Sequence, residues 1–338
     1  MGIVEKSERE ALRGHMPIIQ THDITLYGGT GDCNIVLRPL CDDDLPLLCR
    51  WNADPEIVYW TDTGNAETFS EAEVRGIYST IDGFCFMAEV NGVPIGDFWL
   101  QRMNIPEVSA EYPGLDLRRI EMFICEKEYW GRGIGSAIVG MLIDFAFCGE
   151  HADMLYCFSA DYNIRSQKTF LKHGFQSCGE SDAGEESLRA KAEYHYRLTR
   201  QAYIQRRREI VPAEKRFLVP LAGLQPSQLC ISEGKLRLVR EWFDPGDQAC
   251  FDPIPLKRLD GRIVMTDGHT RAVAAHFAGW SSVPACWDED DLDMRAYTVD
   301  VQWCEEEVIR SPIDLAGRIV PHRAYERLWR KRCMEMEL

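Results

Sequence analysis

The sequence of 338 residues lacks several features that mark common classes of protein. It contains no run of about 18 apolar residues, so we expect no membrane-spanning helix. Its 13 cysteines, an odd number, include no C-x-x-C pair, which predicts free thiols in a reducing cytosol rather than disulfides or a metal site. Residues 1–16 are charged and have no apolar core, so we expect no secretory signal and a cytoplasmic protein.

Positive charge is also scarce. Lys and Arg number 38 against 54 Asp and Glu, a net charge of −16, and this acidic excess argues against a nucleic-acid partner. The excess lies mainly in residues 1–211, which hold 21 basic and 33 acidic residues, whereas residues 212–338 hold 17 and 21. Most of these charges are expected to serve solubility, and the alternative is a site that attracts cations.

The most informative stretch runs from residue 119 to residue 147. Apolar residues 120–125 predict a strand, and glycines follow at Gly131, Gly133 and Gly135. Apolar residues at helical spacing then predict a helix that Ser136 could begin. A glycine turn before a helix directs backbone N–H groups into one small volume, where a pyrophosphate can bind. The turn lacks both the Walker lysine and the Rossmann G-x-G-x-x-G spacing, and taken alone it could be merely a tight turn.

The order of predicted elements indicates an α/β (α+β) protein with a mostly antiparallel sheet flanked by helices. Asn91-Gly92 between two apolar runs predicts a hairpin. Strands are predicted at 34–39, 84–90, 93–102, 120–125, 154–159, from 175 and at 194–199, and helices at 45–51, 68–81 and 163–173. The residues around Pro55, Trp60 and Gly64 and the segment 103–116 are predicted to be irregular.

A change in composition after Arg208 predicts a domain boundary. The charged stretch QRRREIVPAEKR occupies residues 205–216, and nothing after it repeats the first half. We therefore divide the chain into an N-terminal extension at 1–32, a first domain at 33–208, a linker at 209–216 and a second domain at 217–338.

The first domain resembles the GNAT superfamily of acetyltransferases. Residues 130–135, WGRGIG, are similar to that family's R/Q-x-x-G-x-G motif. The family's pattern N-x-x-A-x-x-x-Y-x-x-x-G-F has a counterpart at Asn163, with Ser166 and Phe170 standing where Ala and Tyr are usual. Within the superfamily, the segments IVLRPL, VPIG, RRIE and LTRQAYIQRR are most similar to aminoglycoside 6′-N-acetyltransferases.

This resemblance implies the GNAT fold and acetyl-CoA as cofactor, with a pyrophosphate held at the glycine turn. Trp130 departs from the usual Arg or Gln, so a side-chain contact from that position is not expected. The residues expected to bind the cofactor are Phe123, Ile124, Cys125, Trp130, Gly131, Arg132, Gly133, Ile134, Gly135, Ser136 and Asn163.

Acetyl transfer to an amine needs a base, because a free amine is usually protonated near neutral pH. Glu121 lies on the strand ahead of the turn, and apolar neighbours should raise its pKa toward a useful value. Alternatively, Glu121 is a solvated residue at a strand end. The resemblance favours the catalytic role, since many members carry a carboxylate near this point. The Tyr that often protonates the leaving thiolate is replaced by Phe170.

The acceptor is less well defined. A polycationic amine would need several carboxylates, and Glu107, Glu111 and Asp182 are the candidates, with Glu180, Glu185 and Glu186 beside them in an acidic loop. An aminoglycoside-like or polyamine-like primary amine is the first choice. The alternatives are a peptide or ribosomal-protein N-terminus, and an acyl-CoA-binding regulatory module without turnover.

The second domain carries the stretch TDGHTRAVAAHF, which resembles the ParB/sulfiredoxin-like fold. That resemblance implies a phosphate or nucleotide at a turn before a helix, as helix N-termini bind anions in general. The expected anion site comprises Asp267, Gly268, His269, Thr270 and Arg271. Because His269 stands where sulfiredoxins have their catalytic cysteine, no such redox chemistry is expected. The alternative is a simple helix cap, and no metal is expected.

Overall fold

The computed structural model describes residues 18–61, 67–184, 187–208 and 211–338. Gly64, Glu185, Glu186 and residues 209–210 of the predicted linker lie outside these ranges. No helix among the described residues is both long and apolar enough to cross a membrane. All thirteen cysteines are free thiols, and the described residues contain no group of three or more His, Cys, Asp or Glu that could hold a metal ion.

The first half is built on an eight-stranded sheet whose spatial order is β1-β2-β3-β4-β5-β6-β8-β7. The strands are β1 Leu26–Thr30, β2 Cys33–Pro39, β3 Gly83–Val90, β4 Val93–Arg102, β5 Leu117–Ile124, β6 Met154–Ala160, β7 Gln176–Asp182 and β8 Ala192–Thr199. Every neighbouring pair is antiparallel except β5 and β6, so the prediction of a mostly antiparallel sheet is confirmed.

Helices cover both faces of this sheet. They are α1 Leu45–Asn52, α2 Pro55–Thr61, α3 Glu71–Ser79, α4 Pro106–Glu111, α5 Ile134–Asp144, α6 Ile164–Lys172 and α7 Arg200–Arg206. Helix α5 packs on one face in a core that includes Ile138 and Leu142, and α1 and α3 pack on the other with Leu48 and Val74. Helices therefore shield both faces of the sheet from water, and strand β5 runs through the middle of the sheet.

Three expectations about the first half are corrected. Residues 1–32 are not only an extension, because Leu26–Thr30 adds an edge strand to the sheet. Pro55 and Trp60 lie in α2 rather than in a loop, since a proline is tolerated in the first turn of a helix. Segment 103–116 contains the short helix α4, again with a proline in its first turn.

The second half contains a smaller mixed sheet of order β12-β11-β13-β9 and a two-stranded β10-β14 pair. Its strands are β9 Phe217–Pro220, β10 Ile231–Ser232, β11 Ile254–Leu259, β12 Arg262–Met265, β13 Ser282–Trp287 and β14 Ile319–Val320. Its helices are α8 Glu233–Trp242, α9 His269–Phe277, α10 Met294–Glu306, α11 Pro312–Leu315, α12 His322–Tyr325 and α13 Lys331–Met334, with a π-helical turn at Glu326–Arg330 between the last two.

The two halves share a packed boundary. Leu238 on α8 belongs to the same buried cluster as Phe147 and Tyr203 of the first half. Gly234 allows α8 to come this close, because a Cβ at that position would lie 1.7 Å from the carbonyl oxygen of Cys148. Arg237 donates a hydrogen bond to the carbonyl of Phe147 at 3.0 Å. Side chains from both halves can therefore line one cavity.

Candidate active site

The glycine turn follows β5 as predicted, but its boundaries differ from the expected ones. Strand β5 ends at Ile124, so Cys125 lies outside it. Gly131 and Gly133 have φ angles of 72° and 79°, in the left-handed region where glycine is strongly preferred. Because Gly133 caps the helix in that conformation, α5 begins at Ile134, two residues before Ser136. The unpaired N–H groups of this first turn face a cavity.

That cavity has a volume of about 260 Å³ and contains no carboxylate in its lining. Free N–H groups and the helix dipole give the N-terminus of α5 a partial positive charge, which suits an anion. We call this space the turn cavity. It is lined by Trp60, Thr61, Met122, Ile124, Tyr129, Trp130, Gly131, Gly133, Ile134, Gly135, Ser136, Asn163, Arg165, Ser166 and Thr169.

A gap in the sheet extends this space inward. Strands β5 and β6 pair only from Leu117 with Met154 to Arg119 with Tyr156, and they separate beyond that point. The N–H of Cys125 donates to Ile95 on the β4 side. Because backbone groups alternate in direction along a strand, the N–H groups of Met122 and Ile124 face the gap instead. The gap therefore offers backbone donors of the kind that stabilise an oxyanion.

Glu121 lies at the inner end of the gap. A cavity of about 60 Å³ surrounds it and shares Trp60, Thr61, Met122, Asn163 and Ser166 with the turn cavity. The Glu121 side chain is 17% exposed, and its Oε1 lies 2.6 Å from Nε of Arg119. Burial raises the pKa of Glu121 above its ordinary value, although the positive charge of Arg119 opposes this shift. Two adjoining cavities thus connect a helix terminus that suits an anion with a half-buried carboxylate.

Comparison with known proteins agrees with this geometry. Residues 34–176 match the family described as Acetyltransferase (GNAT) domain.

Residues 34–176 form a GNAT acetyltransferase domain.

It is accordingly an N-acetyltransferase that uses acetyl-CoA. The GNAT domain is 23% identical over 173 residues to aminoglycoside N(6′)-acetyltransferase type 1 of Klebsiella pneumoniae and to the protein of that name from Serratia marcescens. Each alignment covers 46% of this chain and 82% of the relative.

Solved structures with a similar fold include one bound to coenzyme A and one bound to its disulfide. One is the aminoglycoside acetyltransferase AAC(6′)-Ib in complex with coenzyme A, at 20% identity and a TM-score of 0.41, covering 51% of this chain and 99% of that one. Another is Mycobacterium smegmatis RimJ in complex with CoA-disulfide, at 18% identity and a TM-score of 0.44, covering 54% and 90%.

Trp130, the departure from the GNAT motif, has a partner that the sequence did not reveal. Its Nε1 donates to the carbonyl of Ile124 at 2.8 Å, which fixes the ring beside the glycine turn. The guanidinium of Arg165 lies 5.0 Å from the centre of this ring and 4.5 Å from that of Trp60. Arg165 therefore stands between two indoles at the wall of the turn cavity. The sequence offered one signal for Arg165, its position two residues after the motif residue Asn163. Nothing in the sequence placed Trp60 opposite Arg165.

Asn163 lines the turn cavity, and it also has a structural role. Its Oδ1 accepts from the N–H of Ser166 at 3.2 Å and caps α6, while Nδ2 donates to the carbonyl of Trp60 at 2.9 Å. Phe170 is buried in the core. Tyr162 donates its hydroxyl to the carbonyl of Tyr59 at 2.8 Å. The hydrogen bonds from Tyr162 and Asn163 thus hold α2 over the gap between β5 and β6.

Three of the expected cofactor residues do not line the turn cavity. Phe123 and Cys125 share the opposite face of the sheet, where Phe123 packs at 4.9 Å against Trp99. Side chains alternate along a strand, so only the even-numbered residues of this stretch face α5. Arg132 is absent from the lining, and its guanidinium lies 5.4 Å from the centre of the Tyr129 ring. Phe123 does border the smaller cavity around Glu121.

The expected acceptor carboxylates are not gathered at Glu121. Glu107 and Glu111 are exposed on α4, and Asp182 is exposed at the end of β7, where it accepts from the N–H of Gly184. None of the three lines the cavities described above. Glu180 and Asp182 also lie in a strand, not in the acidic loop that was predicted, because they pair with β8.

The second glycine turn caps a helix in the same way. Gly268 has a φ angle of 81°, and α9 begins at the next residue, His269. His269 is buried, its Nε2 accepts from the N–H of Ser227 at 3.0 Å, and burial lowers its pKa to about 4. Arg271 lies 3.4 Å from Asp267 and 3.9 Å from Asp252. His269 is therefore a neutral structural residue.

This second turn opens onto a cavity of about 310 Å³ at the boundary between the halves, which we call the boundary cavity. Asp252 and Asp267 are the acidic residues in its lining. Its cationic side chains come from both halves of the chain: Arg207, Arg208, Lys235, Arg271 and Arg330. The charge of this lining is positive, in a protein whose net charge is −16.

Proposed function

We propose that the protein transfers the acetyl group of acetyl-CoA to a primary amine of a cationic small molecule. One observation carries the proposal: the carboxylate-free turn cavity adjoins the space around the half-buried Glu121. The similarity to aminoglycoside N(6′)-acetyltransferases, at 23% identity, supports an amine of that general kind. Bound acetyl-CoA would supply an activated thioester, and the residues of this chain would bind the cofactor, accept the proton of the amine and stabilise the oxyanion.

The turn cavity is suited to the phosphates of the cofactor. The N–H groups at the start of α5 are free to donate, and Gly135 leaves room for a group to come close to the backbone. Arg165 adds a cation beside them. It would replace the Arg or Gln side chain that is usual in the motif and that Trp130 displaces in this sequence. The N–H groups of Met122 and Ile124 would donate to the oxyanion that develops in the gap.

Glu121 would accept the proton of the acceptor amine. A raised pKa makes its carboxylate a stronger base than an ordinary glutamate, and the ion pair with Arg119 favours the ionised form. The buried Phe170 cannot protonate the thiolate that leaves. Because a thiol has a pKa of about 8.5, the thiolate can depart without a dedicated acid.

The test is thiol release from acetyl-CoA with a panel of amines that includes aminoglycosides, linear polyamines, monoamines and short peptides. Turnover with small cationic amines supports the proposal, whereas turnover with peptides alone favours the N-terminal acetyltransferase. Binding of acetyl-CoA without turnover of any amine would overturn it in favour of a regulatory module.

We also propose a second function, the binding of a phosphate-bearing small molecule in the boundary cavity, in keeping with the ParB/sulfiredoxin-like resemblance of residues 217–338. The cationic lining favours it, particularly Lys235, because among the described residues no carboxylate lies within 4.0 Å of its ammonium. Since Arg207 and Arg208 belong to the first half, the complete chain is needed, and residues 212–338 alone would lack part of the site.

Calorimetry of the complete chain with inorganic pyrophosphate and with ATP, each with and without magnesium, tests this second function. Saturable binding that is weakened in Lys235→Ala supports it. No heat of binding in any of these conditions would make the second turn a helix cap only.

A further inference from the structure

Asp97 is a buried carboxylate on β4, in the middle of the large sheet. It lies on β4 opposite Phe123 of β5, on the same face as Glu121. The residue is 2% exposed. Its Oδ2 accepts from the Tyr78 hydroxyl at 2.9 Å and from Nε1 of Trp99 at 2.6 Å. The carboxylate is thus oriented by two fixed donors.

The chain supplies no counter-charge for this carboxylate. Among the described residues, no Lys, Arg or His nitrogen lies within 4.0 Å of Asp97. Burial raises the pKa of Asp97 to about 7, and the bonds from Tyr78 and Trp99 oppose that shift. A buried carboxylate is costly when it is ionised without a cationic partner. Asp97 is therefore poised to take a cation from outside the chain.

A cavity lies against Asp97 with room for such a group. Its volume is about 150 Å³, enough for roughly five water-sized groups at about 30 Å³ each. Buried Tyr78 and Trp99 form its floor with Asp97, and half-buried Thr61 and Phe69 stand nearer the surface. We call it the Asp97 cavity.

The Asp97 cavity adjoins the space around Glu121. The two cavities share Thr61 and Phe123. In the strand register Glu121 is opposite Trp99, so Asp97 is its diagonal neighbour, a spacing of roughly 7–8 Å between backbones. One small molecule can therefore reach both carboxylates.

We propose that the Asp97 cavity binds a second ammonium group of the acceptor while the amine to be acetylated stands at Glu121. The inference rests on the proposed acetyl transfer to a small amine, and it narrows the acceptor to a diamine or polyamine with a short spacer between nitrogens. Asp97 pairs with the ammonium, and the faces of the aromatic walls add cation–π attraction. Asp97 then determines specificity rather than catalysis.

Other occupants fit this cavity less well. An anion would be repelled by Asp97. A divalent metal ion would need several oxygen ligands, whereas the described residues place a single carboxylate here. An uncharged alkyl group would pack against the aromatic walls but leave the carboxylate without a partner. An ammonium on a short alkyl chain pairs with the carboxylate and also packs against the aromatic walls.

The experiment compares 1,4-diaminobutane with butylamine as acceptors by thiol release from acetyl-CoA. The parent protein should prefer the diamine, and Asp97→Asn, which keeps the shape, should lower kcat/KM for the diamine by roughly 10- to 100-fold, the worth of a charge-assisted hydrogen bond. Turnover of butylamine and affinity for acetyl-CoA should hardly change. Asp43→Asn provides the matched control, since Asp43 is exposed and does not line this cavity.

Two results would overturn the inference in distinguishable ways. Equal loss of activity toward both amines in Asp97→Asn would show a structural role for Asp97 and leave the acetyltransferase function standing. No turnover of either amine by the parent protein, with acetyl-CoA bound, would remove the small-amine proposal and this one with it. Crystals of the parent protein soaked in 1,4-diaminobutane give an independent check of whether a nitrogen lies beside Asp97.

Discussion

The two glycine turns of this protein use one backbone device with different side chains around it. Gly133 and Gly268 have nearly the same φ, 79° and 81°, and each caps a helix that begins at the next residue. The turn cavity contains no carboxylate, whereas at the second turn Arg271 reaches back to Asp267 at 3.4 Å. The comparison teaches that a capped helix N-terminus is open to an anion only where the side chains leave it open.

What lies beyond each turn also differs. Of the two turns, only the first leads through a gap in a sheet to a half-buried carboxylate, Glu121. The second leads to a boundary between the halves of the chain, lined by arginines and a lysine. The first arrangement suits chemistry on a bound molecule, and the second suits binding alone.

The largest expected effect tests this difference at Glu121. Glu121→Gln should lower kcat by about 10²–10⁴-fold, the usual contribution of a positioned base, with little change in acetyl-CoA affinity. Because the base must be unprotonated and its pKa is raised, activity of the parent should increase with pH across that raised pKa. The variant should lose this limb of the pH profile of thiol release. Glu128→Gln, an exposed control, should behave like the parent, and a variant as fast as the parent would place the base elsewhere.

The next effect tests whether the first turn needs to stay open. Gly135→Val keeps helical backbone geometry, but its Cβ would lie 3.0 Å from Ile124 and the side chain would enter the turn cavity. We expect acetyl-CoA affinity to fall by roughly 100-fold, the upper range for forced overpacking. Calorimetry measures the loss. The control is Gly76→Val on α3, where a Cβ meets nothing within 4 Å; unchanged affinity in Gly135→Val would remove the turn from the cofactor site.

A smaller effect is expected at Arg165, the cation of the first turn. Arg165→Ala should raise KM for acetyl-CoA by about 10-fold, the low end for a charge-assisted hydrogen bond, because Arg165 is exposed. KM for S-acetylpantetheine, which has no phosphate, should stay the same. Lys168→Ala on the same helix serves as the control. An equal rise for both thioesters would mean that Arg165 only supports Trp60 and Trp130.

The smallest effect is expected from a substitution that makes the second turn more like the first. Asp267→Asn removes a carboxylate from the boundary cavity and should strengthen binding of inorganic pyrophosphate by about fivefold, equivalent to roughly 1 kcal/mol. Calorimetry at low and at physiological salt would measure it, and the gain should shrink with salt. Asp291→Asn is the exposed control. Weaker binding in Asp267→Asn would show that Asp267 holds the ligand, through a metal ion or directly.

Local patterns in the sequence were sufficient for the elements around the site. The Asn91-Gly92 hairpin, strand β5, the glycine turn and helix α6 after Asn163 all depend on residues close together in the chain, and the structure contains each of them. The start of α5 was predicted two residues late because the left-handed Gly133 begins the helix without a polar cap residue. Edge strand β1 was missed because its alternation is weakened by Gly28 and Gly29.

The sequence by itself predicted the class of the fold and the glycine turn, because both follow from periodicity or from a short motif, and through the resemblance to GNAT acetyltransferases it offered Glu121 as the candidate base. Only the tertiary structure brought Arg165 between Trp60 and Trp130, set Asp97 diagonal to Glu121, and joined Arg207 with Arg271 in one cavity. Residues distant in the chain meet through sheet register and helix packing, which no local pattern encodes. The acceptor and the ligand of the second half depend on those meetings.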